Sequence, residues 1–495
     1  MPLIRTWQLV AGSAAVGLVL SAGAVVAAGP WDSGQRKAER DVAASRGRTG
    51  GTDHGERRLP QAAPSAPGVL SAVLAPGAAP GSVVGGGGGR QPAPPGTGAP
   101  HAPAPDAAAL AAALKPLLAD PALGGLRTAS VLDTATGTVL YQAKPEEPVT
   151  PASTVKIATA AAALAALGPE HRFATTVVPG PGAGHIVLVG GGDPSLTAKK
   201  KAPAGSGGSL VALAADTAQA LKAANTTSVT LGYDDSLYSG PVRHPIGTLD
   251  NIAPVTALTA DEGRPDNSFS GPVDRTADPS GDTARAFAAL LRERGIKVTG
   301  SPARATAPAG ATPLAATRST PVAGLVERML THSDNDIAEA LARQTALASG
   351  QPASFEGAEK AVAAKLNGLG LDLTGSRFAD GSGLNRADKV SAGLLTGLLA
   401  KAADPARPEL RPVLTGLPVA GFTGTLRTRN SGSSPGAGLV RAKTGTLRGV
   451  NALAGTVVTP SGRLLSFAFL AADNDDGPAA EKALDKLAAA VATAG

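Results

Sequence analysis

Along the chain, apolar positions fall into segments of period 3.6, segments of period 2, and one long stretch with neither. The helical period marks "DAAALAAALKPLLAD" from Asp106, where the aspartate suits a cap, and "VTPASTVKIATAAAAL" at 149–164. It returns in "SLVALAADTAQALKAA", "DTARAFAALLRERG", "VAGLVERML", "DIAEALARQTAL", "EGAEKAVAAKLNGLG", "KVSAGLLTGLLAKA" and the closing "AAEKALDKLAAAVATA". Alternation marks "LRTASVLDTATGTVLYQA" as a hairpin turning at "TATG", and predicts strands in "HIVLV", "SVTLGY", "GLVRAKTGTL", "NALAGTVVT" and "RLLSFAFLAA". A strand pair near the start, a helical block after Pro321 and strands at the end predict an α+β domain over 106–495, whose sheet is built from both ends of the chain. A smaller α/β region is inserted at about 175–310.

The aperiodic stretch, 29–105, is rich in Gly, Pro and Ala and reads as a disordered linker. Its run of five glycines at 85–89 lacks the Lys-Ser/Thr of a phosphate loop. Before it, Arg5 precedes an apolar run from Trp7 to Ala28, so 1–28 reads as a signal peptide or an uncleaved signal anchor. Cations at Arg36, Lys37, Arg40, Arg46 and Arg48 run against the positive-inside preference, but long domains are translocated largely regardless of such charge. The expected location is therefore extracytoplasmic, in the cell envelope, membrane-anchored or secreted.

Composition narrows the chemistry. The 495 residues contain no cysteine, which excludes disulfides, thiolate nucleophiles and Cys-based metal sites. A net charge of +6 without basic runs interleaved with aromatics gives no footprint for nucleic acid. His54, His101, His171, His185, His244 and His332 show no paired ligand spacing, so no metal or cofactor is expected. "GSSPG" at 432–436 fits Gly-x-Ser-x-Gly, but Pro435 denies it the strand–turn–helix of a lipase elbow; "GPGAG" at 180–184 reads as a turn.

Three short motifs carry chemistry. In "PASTVK" Pro151 suits the first helical position, which puts Ser153 in the first turn with Lys156 three residues on, on the same face. Lys156 is the one ionisable residue between Pro148 and Gly168. A neutral amine there can take the serine proton, whereas an ammonium cannot. Bringing a lysine from its usual value to near 7 costs roughly 4.6 kcal/mol, which burial and a nearby cation can supply. Alone the motif is weak, since about one chance Ser-x-x-Lys is expected per 500 residues. The second motif, "THSDNDIAEAL", sets Ser333, Asp334 and Asn335 between two helices, where Asp334 or Asn335 is also an ordinary cap and His332 a flanking residue. In the third, "VRAKTGTLRGV", a strand puts Lys443 and Gly445 on one face and Thr444 and Thr446 on the other. Glycine there makes room for an extended peptide. Taken alone, the same lysine is also what protects an edge strand.

In this order and these settings, Ser-x-x-Lys, Ser-x-Asn and Lys-Thr-Gly form the signature of penicillin-recognising serine enzymes. From about Ala107 onward the chain resembles the class C penicillin-binding proteins, the D-alanyl-D-alanine carboxypeptidase/endopeptidase family. "GGDPSLT" (191–197), "YDDSLYSGP" (233–241), "TALTADEG" (256–263), "FADGSGLNR" (378–386) and "LPVAGFTGTL" (417–426) extend the likeness. The resemblance implies a penicillin-recognising transpeptidase/β-lactamase-like fold. It implies Ser153 as nucleophile on a D-Ala-D-Ala bond, Lys156 as its base and Ser333 as a proton relay. Asn335 would position the lysine and the substrate amide, and Lys443 would set the local field. Thr444 and Thr446 would recognise the terminal carboxylate beside Gly445, and the backbone N–H groups of Ser153 and Thr446 would form the oxyanion hole. Lys443 and Lys156 are expected to depress each other's pKa. Expected partners are peptidoglycan stem peptides, with β-lactams as inhibitors and the membrane if the anchor is retained. The 180 residues between Ser153 and Ser333 (333 − 153) imply a reduced insert. The alternatives are a serine β-lactamase and a non-catalytic envelope-binding protein. The first lacks support because Ala363 stands in "AAKLN" where a class A enzyme has its glutamate; the second, because every motif residue is present.

Overall fold

The computed structural model describes residues 105–202 and 206–494. The expected signal or anchor segment 1–28 and the linker 29–105, save its last residue, lie outside the described residues. Among the described residues no helix is long and apolar enough to cross a membrane.

Ten strands are formed: β1 (Leu126–Asp133), β2 (Val139–Ala143), β3 (Ala174–Pro179), β4 (His185–Val189), β5 (Ser228–Asp234), β6 (Lys297–Arg304), β7 (Ala315–Arg318), β8 (Val440–Leu447), β9 (Val450–Val458) and β10 (Leu464–Ala472). The helices are α1 (Ala107–Leu118), α2 (Lys156–Leu167), α3 (Leu210–Ala223), α4 (Pro279–Glu293), α5 (Val322–His332), α6 (Asn335–Ala348), α7 (Phe355–Gly368), α8 (Ala392–Ala403), α9 (Pro412–Thr415) and α10 (Gly477–Ala492). Most long helices start where the sequence offers an oxygen to an unpaired N–H. Asp106, Ser209, Asp278, Asp334, Ser354, Ser391 and Asp476 each accept from their own first turn.

The two ends of the chain do meet in one antiparallel sheet, ordered β2-β1-β10-β9-β8. One face is covered by α1 and α10. Against the other lie α2, α8 and the helical block, in the largest core of the molecule. With both faces covered, β9 and β10 are buried almost throughout. A second sheet, β6-β5-β4-β3-β7, is parallel from β4 to β6 and antiparallel beyond, with α3 and α4 packed on it around Leu188, Leu231 and Phe287.

Helix α2 runs through the middle of the first core. Its residues Lys156–Leu164 are all buried, as a helix apolar around its whole circumference must be. Alanine at seven of its twelve positions lets α6, α7 and α8 approach closely. Its start differs from expectation. Pro151 does not open the α-helix; Ala152–Val155 form a 3-10 turn and the α-helix begins only at Lys156. Two glycines from distant segments explain the shift. A Cβ at Gly383 would lie 2.1 Å from the Ala152 carbonyl oxygen, and one at Gly445 2.5 Å from that of Pro151. The turn is thus clamped from two sides, with Ala152 held at φ +48°.

The sheet's tightest approach is at Gly455 of β9, where an added Cβ would stand 2.0 Å from the Arg441 carbonyl oxygen and 2.5 Å from the Ala442 Cα of β8. Gly455→Ala is therefore expected to cost about 1–3 kcal/mol as overpacking, read as a lower urea midpoint at unchanged slope. An unchanged midpoint would show that β8 can move aside.

Candidate active site

The nucleophile turn, the end of α5 and the edge strand β8 converge on one cavity of about 230 Å³. Ser153, Ser333, Asn335 and Thr446 line it, together with Asn251, Arg264, Arg275, Asp334 and Leu384. Lys156 is fully buried beneath it, and its Nζ reaches three oxygens. Ser153 Oγ is at 3.1 Å, Asn335 Oδ1 at 2.7 Å and the Ser382 carbonyl at 2.5 Å. A neutral amine has two N–H bonds and one lone pair. Asn335 and Ser382 offer only acceptors, so they take both hydrogens and leave the lone pair for the Ser153 hydroxyl.

Burial pushes the Lys156 pKa down to about 8, while Asp380, Glu339, Asp334 and Asp388 pull it back up. Lys443, also fully buried, donates to the Thr444 carbonyl at 2.8 Å. Its pKa falls well below the usual lysine range, first by burial and then by the charges of Lys156 and Arg429. Desolvation is the first cause at both amines, and their mutual repulsion, acting beside it, keeps the pair from carrying two protons easily.

The Ser333–Asn335 turn has its own local cause. Helix α5 ends on Ser333 in the left-handed region, at φ 58° and ψ 39°, and Asp334 caps α6 by accepting the Ile337 N–H at 3.0 Å. Arg328 of α5 holds the other Asp334 oxygen at 3.4 Å. Asn335 then starts α6, with its amide nitrogen donating to the Asn251 carbonyl at 3.0 Å, which turns its oxygen toward Lys156. A left-handed serine costs of order 1–2 kcal/mol, and the caps on either side hold it in place.

On β8 the alternation is as expected. Lys443 and Gly445 face the nucleophile turn, whereas the Thr444 hydroxyl donates to Thr425 at 2.9 Å and that of Thr446 to Glu481 at 3.0 Å. Gly445 has a second use besides clearing a path for a peptide: Pro151 occupies the space that a side chain would need. β8 is the edge of its sheet; among the described residues the backbone on its outer side is paired at the Val419–Arg441 bridge, with bonds to Val440 and Ala442, so the stretch from Lys443 onward is open for strand addition.

All three motifs thus meet. The sequence did not single out Ser382, Asn251, Asp380 or Glu339 as site residues, although Asp380 and Ser382 lie in "FADGSGLNR". Two clusters bring three potential metal donors together, His244–Glu339–Asp380 and Glu262–Asp334–Asp336. In the first, His244 Nδ1 accepts the Ile246 N–H at 3.1 Å, so its proton sits on Nε2 and points at Asp380. The second is occupied by Arg264, Arg275 and Arg328.

The sequence matches the D-Ala-D-Ala carboxypeptidase 3 (S13) family over residues 110–270 and 267–491. A carboxypeptidase of Mycobacterium tuberculosis is 39% identical over 396 residues, which is 78% of this chain and 84% of that one. The D-alanyl-D-alanine carboxypeptidase of Actinomadura sp. strain R39 is 31% identical over 467 residues, covering 76% and 83%. Among solved structures, penicillin binding protein 4 of Haemophilus influenzae superposes with a TM-score of 0.63 at 21% identity, over 78% of this chain and 99% of that one. The fold is the penicillin-binding/β-lactamase-like α+β fold, and the chain belongs to the D-Ala-D-Ala carboxypeptidase (S13) family.

Proposed function

We propose that the chain is a serine D-alanyl-D-alanine carboxypeptidase and endopeptidase acting on peptidoglycan stem peptides, acylated on Ser153. The carrying observation is the contact of Lys156 Nζ with Ser153 Oγ, beside two carbonyl oxygens that take the amine's own hydrogens. Lys156 removes the hydroxyl proton as Oγ attacks the carbonyl carbon of the D-Ala-D-Ala bond. The backbone N–H groups of Ser153 and Thr446 receive the oxyanion. Ser333 gives its hydroxyl proton to the leaving D-alanine nitrogen and takes in exchange the one Lys156 acquired, and water then releases the acyl group. Lys443, with the hydroxyls of Thr444 and Thr446, receives the terminal carboxylate. This requires the Thr446 hydroxyl to turn from Glu481 toward the cavity and the Thr444 hydroxyl, which does not line it, to leave Thr425.

Segment 1–28 is proposed to export the protein and, if retained, to anchor it, with 29–105 as a tether to the envelope. β-Lactams enter the same cavity as carbonyl mimics of the substrate. A β-lactamase reading meets a physical obstacle. The one carboxylate lining the cavity among the described residues, Asp334, is turned to its cap and to Arg328, so no carboxylate there is free to drive fast deacylation, and the water that releases the acyl group is left to the amine of Lys156.

Treatment with benzylpenicillin should therefore give one long-lived adduct per chain on Ser153, located by mass spectrometry; rapid continuous turnover would favour the lactamase. Ser153→Ala should lower D-Ala release by roughly 10⁴-fold or more at preserved fold, and equal rates would end the reading. Because the Lys156 pKa is lowered to about 8, the amine is neutral above that value. Acylation should rise with pH and level off above about 8, with roughly a tenth of the plateau rate at pH 7. Asn335→Ala removes one of the two oxygens that orient the amine and should slow acylation by about 10²-fold, measured with a chromogenic cephalosporin.

A further inference from the structure

The loop that supplies the Ser382 carbonyl is ordered from behind by charges far away in sequence. Asp380, buried at 3% exposure, folds the loop around itself. Its Oδ1 accepts the N–H groups of Ser382 at 2.9 Å and Gly383 at 2.5 Å, and its Oδ2 accepts that of Asn385 at 2.7 Å. Glu339 of α6 accepts the N–H groups of Gly381 and Ser382, both at 3.0 Å. With the donors turned inward, the carbonyls of residues 381 and 382 point at α2. There Thr159 holds the first at 2.7 Å and Lys156 the second. The last partner of Asp380 comes from the segment between β5 and α4: His244 Nε2 lies 2.9 Å from Oδ2. The Ile246 N–H on Nδ1 fixes the tautomer that donates, and the imidazole stands edge-on to Phe355, with ring centres 5.4 Å apart. His244 is 2% exposed and reaches neither the cavity nor Ser153.

We propose that His244 is a positioning residue for the catalytic lysine, holding Asp380, and through it the 381–383 backbone, so that the Ser382 carbonyl keeps Lys156 on Ser153. The inference rests on the acyl-enzyme reading above. Its geometry makes the segment between β5 and α4 a structural support of the site and not only a substrate-facing appendage.

The groups around this linkage fix the sign of the expected effect. Facing Lys156 are Asp380, Glu339, Asp334 and Asp388, with Lys443 from β8. Facing Asp380 are His244, Asp388 and Glu339, with Arg343 behind Glu339 and stacked over Phe355 at 4.1 Å. Burial pushes Asp380 up, but the hydrogen bonds from His244, Asp388 and the loop N–H groups bring it to about 2, so it stays ionised. Loss of the His244 donor leaves that anion less compensated, and a looser loop lets water reach the amine whose burial lowers its pKa. Both changes favour the protonated lysine, outweighing the weakened Ser382 contact, and move the acid limb of acylation toward higher pH.

The test compares full-length wild type with two variants chosen for atom position. His244→Gln places an amide N–H at the reach of Nε2 and keeps the Asp380 contact. His244→Asn keeps an acceptor for Ile246 and falls short of Asp380. Acylation by benzylpenicillin is followed from pH 6 to 10 and normalised to the stoichiometry of the final adduct. The expected result is a His244→Asn acid limb about one pH unit higher, with ~10-fold slower acylation at pH 7 and near-normal rate at high pH, and recovery in His244→Gln. An unmoved limb in His244→Asn, a uniform slowing at every pH, or loss of adduct stoichiometry in both variants would overturn the proposal. Failure of wild-type Ser153 to acylate would instead overturn the acyl-enzyme reading.

Discussion

The contact between Lys156 and Ser153 depends on keeping an amine in a place where an ammonium is costly. Lysine is among the residues least often fully buried, yet Lys156 is wholly enclosed at the start of the most alanine-rich helix of the chain. Small residues let three neighbouring helices close over it, and that enclosure lowers its pKa. The fold around α2 is thus part of the chemistry: the surrounding layers shut water out, and the 3-10 turn puts the hydroxyl within reach. At this group the unfolded chain binds more protons than the folded one between about pH 8 and 10.5. Its burial therefore opposes folding below that window and ceases to do so as pH rises through it.

Closure of the sheet by both chain ends follows from the same requirement. Ser153 comes from the segment after β2, Lys443 and Gly445 from β8, and Asn335 from the helical block between them. Only a sheet that brings β1 beside β10 and β8 to the open edge lets these three segments meet. Gly445 and Gly383 make that meeting close, since each stands where a Cβ would strike the backbone of the nucleophile turn. Two of the eight described non-glycine residues at positive φ, Ala152 and Ser333, fall in the turns whose side chains or neighbours line the cavity.

Much of this was legible in the sequence, for identifiable reasons. A helix apolar all round with one lysine signals burial, three motifs in order signal their meeting, and alternation flanking a turn signals the first hairpin. Asp334 was recognised as a possible cap, and it is one. Other features depend on contacts between distant residues. The start of α2 was misplaced because the local preference of Pro151 was overridden by glycines 232 and 294 residues further on (383 − 151 and 445 − 151). Strands β6 and β7, on the two edges of the second sheet, are too exposed to alternate in polarity. The partner of Lys156 at Ser382 is a backbone carbonyl, which no side-chain motif encodes.

The anions behind the site answer a conflict that burial creates. An amine base needs acceptors to hold it, and acceptors arranged by carboxylates bring negative charge that favours the ammonium. The chain limits that charge. Burial and the neighbouring Asp380 anion raise Asp388 to about 10, so it remains a neutral acid. Glu339 is raised in the same way, first by burial and then by Asp380. Asp380 stays ionised, with its charge spread over three backbone N–H groups, one imidazole N–H and the Asp388 carboxyl, and Asp334 is held below its usual value beside Arg328. The carboxylates act on Lys156 through their charges and also through the peptide they orient, with the Ser382 carbonyl as the point of contact. That arrangement holds the base in position while leaving its pKa to be set chiefly by the enclosing alanines.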